Sequence, residues 1–342
     1  MHSVKTQTIA GFSVYVLSDK ATDSYAYIIP ACGNNCFRFT QKMHGQQVEI
    51  IESPPNLEMM SEDVSRYGNP ILFPFPNRVR QGKFTFEGKE YSLALQSHHD
   101  GEGNWIHGFV CKRPWNVEEY GESDELGAYL RCSFDSIGFP EIYEQFPFPF
   151  LITITYSLKD GILTIDADMK NTGNSNMPMG FGIHPYFRAP LGTDSSAADC
   201  GKPKASVAFC TIRVPANKYW ELVGKLPTGK ILPVEGKYDL RSPQILEGLA
   251  FDDVFTDLIF EDNVTRTVLD DTKAKIRVIV EADTLFRELV VYTPTRPSIC
   301  FEPYTCTTDA VNLASKGINA GLRILKSGEI VHGKIRIIPE AY

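Results

Sequence analysis

Between Leu151 and Met169 apolar and polar residues alternate one by one. Ile152, Ile154 and Tyr156 interleave with Thr153, Thr155 and Ser157, Asp160-Gly161 interrupts, and the alternation resumes from Ile162 to Met169. Successive side chains of an extended chain point to opposite faces, so this pattern buries one face of a strand and leaves the other to solvent. The Asp-Gly step supplies the backbone freedom that a tight hairpin turn needs. The segment is therefore expected to be a β-hairpin. Coiled as a helix, it would scatter its apolar residues round the axis.

The same signal recurs along the chain. A second hairpin is expected from Lys83-Phe84-Thr85-Phe86 through Glu87-Gly88 to Glu90-Tyr91-Ser92-Leu93. Further strands are expected from Lys275 to Val280, Glu288 to Tyr292, Ile299 to Phe301, Gly321 to Leu325 and Ile330 to Ile338, the last two joined by Ser327-Gly328. Helical pattern is scarce, with Asn56 to Tyr67 the best candidate for a short helix. No βαβ alternation and no Gly-rich phosphate loop is present, which sets aside a nucleotide-binding α/β fold. The stretch 191–204 is rich in Gly, Ser, Ala, Asp and Pro and reads as an exposed loop, but the strand pattern resumes unchanged after it. These features predict an all-β fold, a large antiparallel sandwich with few short helices, as one domain over residues 1–342. A chain that is 43% hydrophobic can fill such a core.

Composition narrows the function. A formal net charge of −8 spread without a basic block repels a polyanion at long range, so no nucleic-acid partner is expected. No apolar run approaches the ~20 residues of a membrane span, and the segment from Met1 to Gly11 lacks the apolar core of a secretory signal. Eight cysteines form no Cys-x-x-Cys pair, which predicts free thiols and a cytoplasmic protein. Neither Cys32 with Cys36 nor Cys300 with Cys306 has a His or Cys at usual ligand spacing, so no metal is expected. Nothing separates a monomer from a homodimer.

Four fragments place polar or titratable side chains beside aromatic and turn-forming residues: Asn77-Arg78, Ile106-His107-Gly108-Phe109, His184-Pro185-Tyr186-Phe187 and Phe301-Glu302-Pro303. Flat apolar surface with a few fixed polar groups suits a sugar ring, and two histidines with a carboxylate add acid and base capacity. From Pro70 to Arg80 three prolines remove ladder donors, so this segment is expected to be a shaped loop presenting Asn77 and Arg78. An arginine there offers fixed donors to vicinal hydroxyls, although capping a carboxylate would explain it equally well. His107 adjoins Trp105, Ile106 and Phe109, with Trp115 nearby; a satisfied structural histidine is the plainer account of it. His98 and His99 sit in a polar Gly-Asp-rich loop and are expected in solvent, with one of them a candidate to border the site. His184 lies among two glycines and a proline that aim its ring, and Glu302 ends an apolar run, where burial raises a carboxylate's pKa. One of Asp252 and Asp253 is expected to face inward, and Thr308, Asp309 and Asn312 are candidates to orient Glu302.

In order and spacing Asn77-Arg78, His107-Gly108-Phe109 with Trp115, His184-Pro185-Tyr186-Phe187, Asp252 with Phe255, and Glu302 resemble the aldose 1-epimerases, the galactose mutarotases. The resemblance implies a β-supersandwich and a cofactor-free interconversion of the α and β anomers of a hexose. It further implies Glu302 as the base at the C1 hydroxyl and His184 as the acid at the ring oxygen, with Arg78, His107, Asp252 and Asn77 holding the monosaccharide. The surroundings of His184 and Glu302 look closer to divergent mutarotase-like branches, one of which acts on glucose 6-phosphate. Arg80, Arg188 and Arg296 are the candidate phosphate partners for that case. A non-catalytic sugar-binding protein and, more remotely, a glycoside hydrolase with two carboxylates stay open.

Overall fold

The computed structural model describes residues 1–94, 99–192 and 206–342. The hairpin at Asp160-Gly161 forms as the alternation predicts. Phe150–Lys159 pairs antiparallel with Ile162–Asn171, from Phe150 opposite Asn171 to Lys159 opposite Ile162. Its inward row, Ile152, Ile154, Tyr156, Ile165, Ala167 and Met169, is buried almost completely. The hairpin sits inside a nine-stranded sheet, where Ile162–Asn171 also pairs with the long C-terminal strand Ile330–Ala341.

A thirteen-stranded sheet faces it. Five of its strands form an N-terminal meander, His2–Ile9, Phe12–Asp19, Ser24–Ile29, Asn35–Met43 and Gln46–Ile51, which goes beyond the elements the alternation predicts. After these the order runs through Tyr186–Arg188, Ser298–Tyr304, Glu288–Tyr292 and Asp252–Leu258. Ile28, Phe39, Phe187 and Phe301 from this sheet share one apolar core with Ile154, Ile165 and Ile337 from the other, the double-layer solution of an antiparallel sandwich. Polar cross-links pin the layers where an unpaired group would be costly. The buried Tyr156 hydroxyl donates to the Asn34 carbonyl (2.9 Å), and the Gly161 N–H donates to Asp19 Oδ2 (3.2 Å).

The local expectations are met to different degrees. The hairpin Lys83–Phe86/Lys89–Ser92 forms in the predicted register but stands as its own two-stranded sheet. Arg323–Leu325 and Ile330–Ala341 are joined by a turn but do not pair with each other: the first lies against Met177–Met179. The helical candidate 56–67 condenses to two short pieces, Met59–Glu62 and Val64–Arg66, with Asp63 accepting from the Ser65 N–H between them. The proline-rich segment keeps two two-residue strands at its ends. Ile71–Leu72 pairs with Gly182–Ile183, and Arg78–Val79 with Trp105–Ile106. The expected loop 191–204, from 193 on, and His98 lie outside the described residues. Seven cysteines in the described residues are free and buried.

Candidate active site

Glu302 stands in Ser298–Tyr304, a strand buried along its whole length. Alternation puts Cys300, Glu302 and Tyr304 on one face, while Phe301 points to the core and packs on Phe187. The Tyr304 hydroxyl donates a short hydrogen bond to Glu302 Oε2. His184 arrives from an adjacent segment of the same chain, just before the strand Tyr186–Arg188. Its N–H donates to the Pro70 carbonyl (3.0 Å), and two residues on, Tyr186 pairs with Cys300. The imidazole stacks on the Tyr186 ring, with centroids 4.7 Å apart at 18°, and meets His107 edge-on at 5.4 Å. His184 Nε2 lies 3.4 Å from Glu302 Oε1.

Both groups are almost wholly buried. Burial penalises each charged form, so it pushes the Glu302 carboxyl well above the usual carboxylate range and the His184 imidazole down to about 3. Burial therefore favours the neutral form of each group, a protonated Glu302 beside an unprotonated His184.

The opposite wall is built on strained backbone. Asn77 (φ 62°) and His107 (φ 69°) both adopt the left-handed conformation, and the His107 N–H donates to the Asn77 carbonyl at 3.0 Å. Gly108 follows at φ 73°, so close to Phe73 that a Cβ would meet the Phe73 carbonyl oxygen at 2.1 Å. Only glycine fits there, and the close approach fixes where His107 leaves the chain. Arg78 is held from three sides. Its Nη1 donates to Asn77 Oδ1 (2.8 Å), its Nε donates to Asp100 Oδ2 (2.8 Å), and its Nη2 lies 3.7 Å from Asp252 Oδ2. Against the upward push of burial, bonds from Asn104, the Glu102 N–H and Arg78 keep the Asp100 carboxyl down at about 2. Asn77, Arg78, His107, His184, Asp252 and Glu302 thus all line one cavity of about 310 Å³.

Residues 15–337 match the family model described as Aldose 1-epimerase. The chain belongs to the aldose 1-epimerase family. It is 31% identical over 123 residues to the uncharacterized Escherichia coli protein YihR, covering 35% of this chain and 36% of that one. It is 26% identical over 179 residues to the galactose mutarotase of Sus scrofa, covering 52% of this chain and 46% of that one. The matched segments therefore span less than half the length of these curated relatives. The fold is that of a galactose mutarotase-like protein from Clostridium acetobutylicum, at a TM-score of 0.85 and 23% identity over 99% of this chain and 98% of that one. Galactose 1-epimerase from Lactobacillus acidophilus gives a TM-score of 0.74 at 17% identity, covering 99% of each chain.

Within this member of the aldose 1-epimerase family, several assignments change. Of the adjacent aspartates Asp252 faces the cavity, while Asp253 turns to the Tyr238 hydroxyl (3.4 Å), as neighbours on a strand must. Asp309 and Asn312 do not reach Glu302. Asp309 Oδ1 accepts from the Arg80 N–H (2.9 Å) and Asn312 Nδ2 (2.7 Å), and the Asp309 N–H donates to the Arg78 carbonyl (2.8 Å), so they hold the backbone that carries Arg78. Trp115 is buried against Phe134 and does not line the cavity. Nor do Arg80, Arg188 or Arg296, which face Asp309, Glu49 and Glu52. The lining cations are Arg66, Arg78, Lys112 and Lys225 instead. Asp100, Tyr304 and Lys225 are site residues that sequence reasoning missed. Asp100 sits in the Gly-Asp-rich loop, whose partner was not visible, and Tyr304 follows Glu302 by two, the strand signal that could have found it.

Proposed function

We propose that this protein is a mutarotase, an aldose 1-epimerase that interconverts the α and β anomers of a hexose. The observation that carries the reading is the buried His184–Glu302 pair, 3.4 Å apart on the floor of a cavity rimmed by Arg78, Asn77, His107 and Asp252. The hydroxyl oxygen and ring oxygen of a hemiacetal share one carbon, so adjacent acid and base groups can serve both at once. The pair's single proton moves onto His184, leaving Glu302 as a carboxylate. Glu302 then takes the proton of the C1 hydroxyl, the C1–ring oxygen bond breaks, C1 and its exocyclic oxygen form the aldehyde, and His184 gives its proton to the ring oxygen. Protonated Glu302 and neutral His184 result, the state that burial favours. Rotation about C1–C2 followed by the reverse steps closes the other anomer. Arg78 donates to hydroxyls or to the charge developing on oxygen, and Asn77, His107 and Asp252 orient the ring.

The test is polarimetric relaxation of freshly dissolved α-D-galactose and α-D-glucose with the wild type and with Glu302→Gln. Acceleration by the wild type alone supports the reading. Saturable sugar binding without acceleration would make the protein a carbohydrate-binding one.

A second reading, a phosphorylated hexose as substrate, is favoured by Arg66 and exposed Lys112 on the cavity wall. Glucose 6-phosphate would then relax faster than glucose, and Lys112→Ala would remove the preference.

A further inference from the structure

Cys300 takes no part in the proton transfers and does not line the cavity, yet its fully buried thiol lies beside the His184–Glu302 pair. The ligating atoms of His184, Cys300 and Glu302 all lie within 4.8 Å of one another, and all three residues are buried. Their spacing is set by backbone rather than by side-chain choice. Cys300 and Glu302 are alternate residues of Ser298–Tyr304, and His184 precedes by two the residue that pairs with Cys300. We propose that this triad is a binding site for a borderline-soft divalent cation of the Zn²⁺ type, and that its occupation switches the enzyme off. The inhibitory part rests on the mutarotase reading; the binding part does not.

The donor set is one that Zn²⁺ takes: thiolate sulfur, imidazole nitrogen and carboxylate oxygen, with a fourth position left open. A tetrahedral ion bonded at about 2.0–2.1 Å to nitrogen and oxygen holds those two atoms about 3.4 Å apart. His184 Nε2 and Glu302 Oε1 are already 3.4 Å apart. The hydrogen bond from Tyr304 reaches the other carboxylate oxygen, Oε2, so it steadies Glu302 without occupying the oxygen that faces His184. His184 and Glu302 line the open cavity, which gives the ion its way in. On binding, the Cys300 thiol proton and the Glu302 carboxyl proton pass to solvent, and thiolate, carboxylate and dication sum to zero charge. A neutral complex is the form a low-dielectric floor accepts. The same bonds remove the nitrogen and oxygen that would handle the sugar's protons. Spacing along the chain cannot reveal such a site, because His184 comes from a segment more than a hundred residues before the strand that holds the other two.

The experiment uses the full chain after chelator treatment. Titration with Co²⁺ alone should give one ion per chain and a thiolate-to-cobalt charge-transfer absorption in the near ultraviolet, with Zn²⁺ displacing it. Cys300→Ala and Cys300→Ser should lose that absorption and weaken Zn²⁺ binding by about 100-fold or more, measured by competition with a chromophoric chelator. Both variants should keep the metal-free mutarotation rate and resist Zn²⁺, whereas the wild type should be inhibited and recover on adding chelator. No charge-transfer band in the wild type, or an equal band in both variants, would overturn the site. A band that depends on Cys300 in a protein without mutarotation would keep the site and reject the mutarotase reading.

Discussion

The two sheets of this sandwich share one core, but they divide the work unequally. Every described strand of the nine-stranded sheet is absent from the cavity wall, whereas Tyr186, Asp252, Tyr292 and Glu302 project into it from the thirteen-stranded sheet. The difference lies in regularity. The central strands of the nine-stranded sheet run in long uninterrupted ladders such as Phe150–Lys159 with Ile162–Asn171. On the other side the thirteen-stranded sheet carries the two-residue strands Ile71–Leu72 and Gly182–Ile183 and the turn that holds His184, and left-handed Asn77 and His107 flank a separate two-stranded sheet beside it. A continuous ladder satisfies its own backbone and points side chains only up and down. The breaks beside the other sheet bring Asn77, Arg78, His107 and His184 over the face from which Asp252 and Glu302 project. The regular sheet is the platform and the irregular one holds the chemistry.

Two substitutions would sharpen that division. Glu302→Gln keeps the size and the acceptor for Tyr304 but removes the base, so mutarotation should fall by about 10² to 10⁴-fold while the far-ultraviolet circular dichroism stays unchanged. Ile154→Ala, in the regular sheet, should do the reverse. Its side chain is fully buried, and its loss should cost about 2–5 kcal/mol in chemical denaturation while leaving kcat/KM of the folded protein unaltered. A large change in kcat/KM for Ile154→Ala would break the comparison. Next in size is Asp100→Asn. It weakens the 2.8 Å charged bond to Arg78 Nε without touching the floor, so KM should rise about tenfold, with kcat changing less. An equal loss in kcat would make Arg78 part of the chemistry rather than of binding.

How legible each half was follows from the same contrast. The alternation from Leu151 to Met169 reported its hairpin residue by residue, because period-2 burial is written directly into the sequence. All six candidate site residues reach one cavity; turn formers and aromatics mark five of them along the chain, whereas Asp252 was indistinguishable from Asp253 there and was singled out only by the family resemblance. The pairing between segments was not. Arg80, Arg188 and Arg296 looked alike as phosphate ligands, but each faces a carboxylate that is distant in the chain, Arg296 with its guanidinium 4.4 Å from both the Tyr67 and Tyr186 rings. Asp100 opposite Arg78, and Asp309 beneath the Arg78 backbone, are long-range partners of the same sort. Local pattern fixes which residues are special, and tertiary pairing decides what each one touches.

The smallest expected effect concerns how the floor loads the fold, and it is read in Tm. In the unfolded chain Glu302 and His184 titrate near their ordinary values of 4.5 and 6.5. Between those values the unfolded pair holds one proton, on the histidine, and the folded pair also holds one, on the glutamate, so together they give no slope of stability with pH. Above pH 6.5 the unfolded pair holds none, whereas burial still favours the proton on folded Glu302, so stability falls as pH rises. Below 4.5 the unfolded pair holds two and the folded pair one, down to about 3, so stability falls as pH drops. Glu302→Gln removes the alkaline loss alone, because an amide needs no proton to be buried neutral. Its Tm relative to wild type, in the metal-free protein, should therefore climb from pH 5 to pH 8, whereas His184→Gln should gain on wild type only toward acid. If Glu302 were buried as a carboxylate, Glu302→Gln would show no such climb, and the irregular side of the sandwich would be holding a charge rather than a proton.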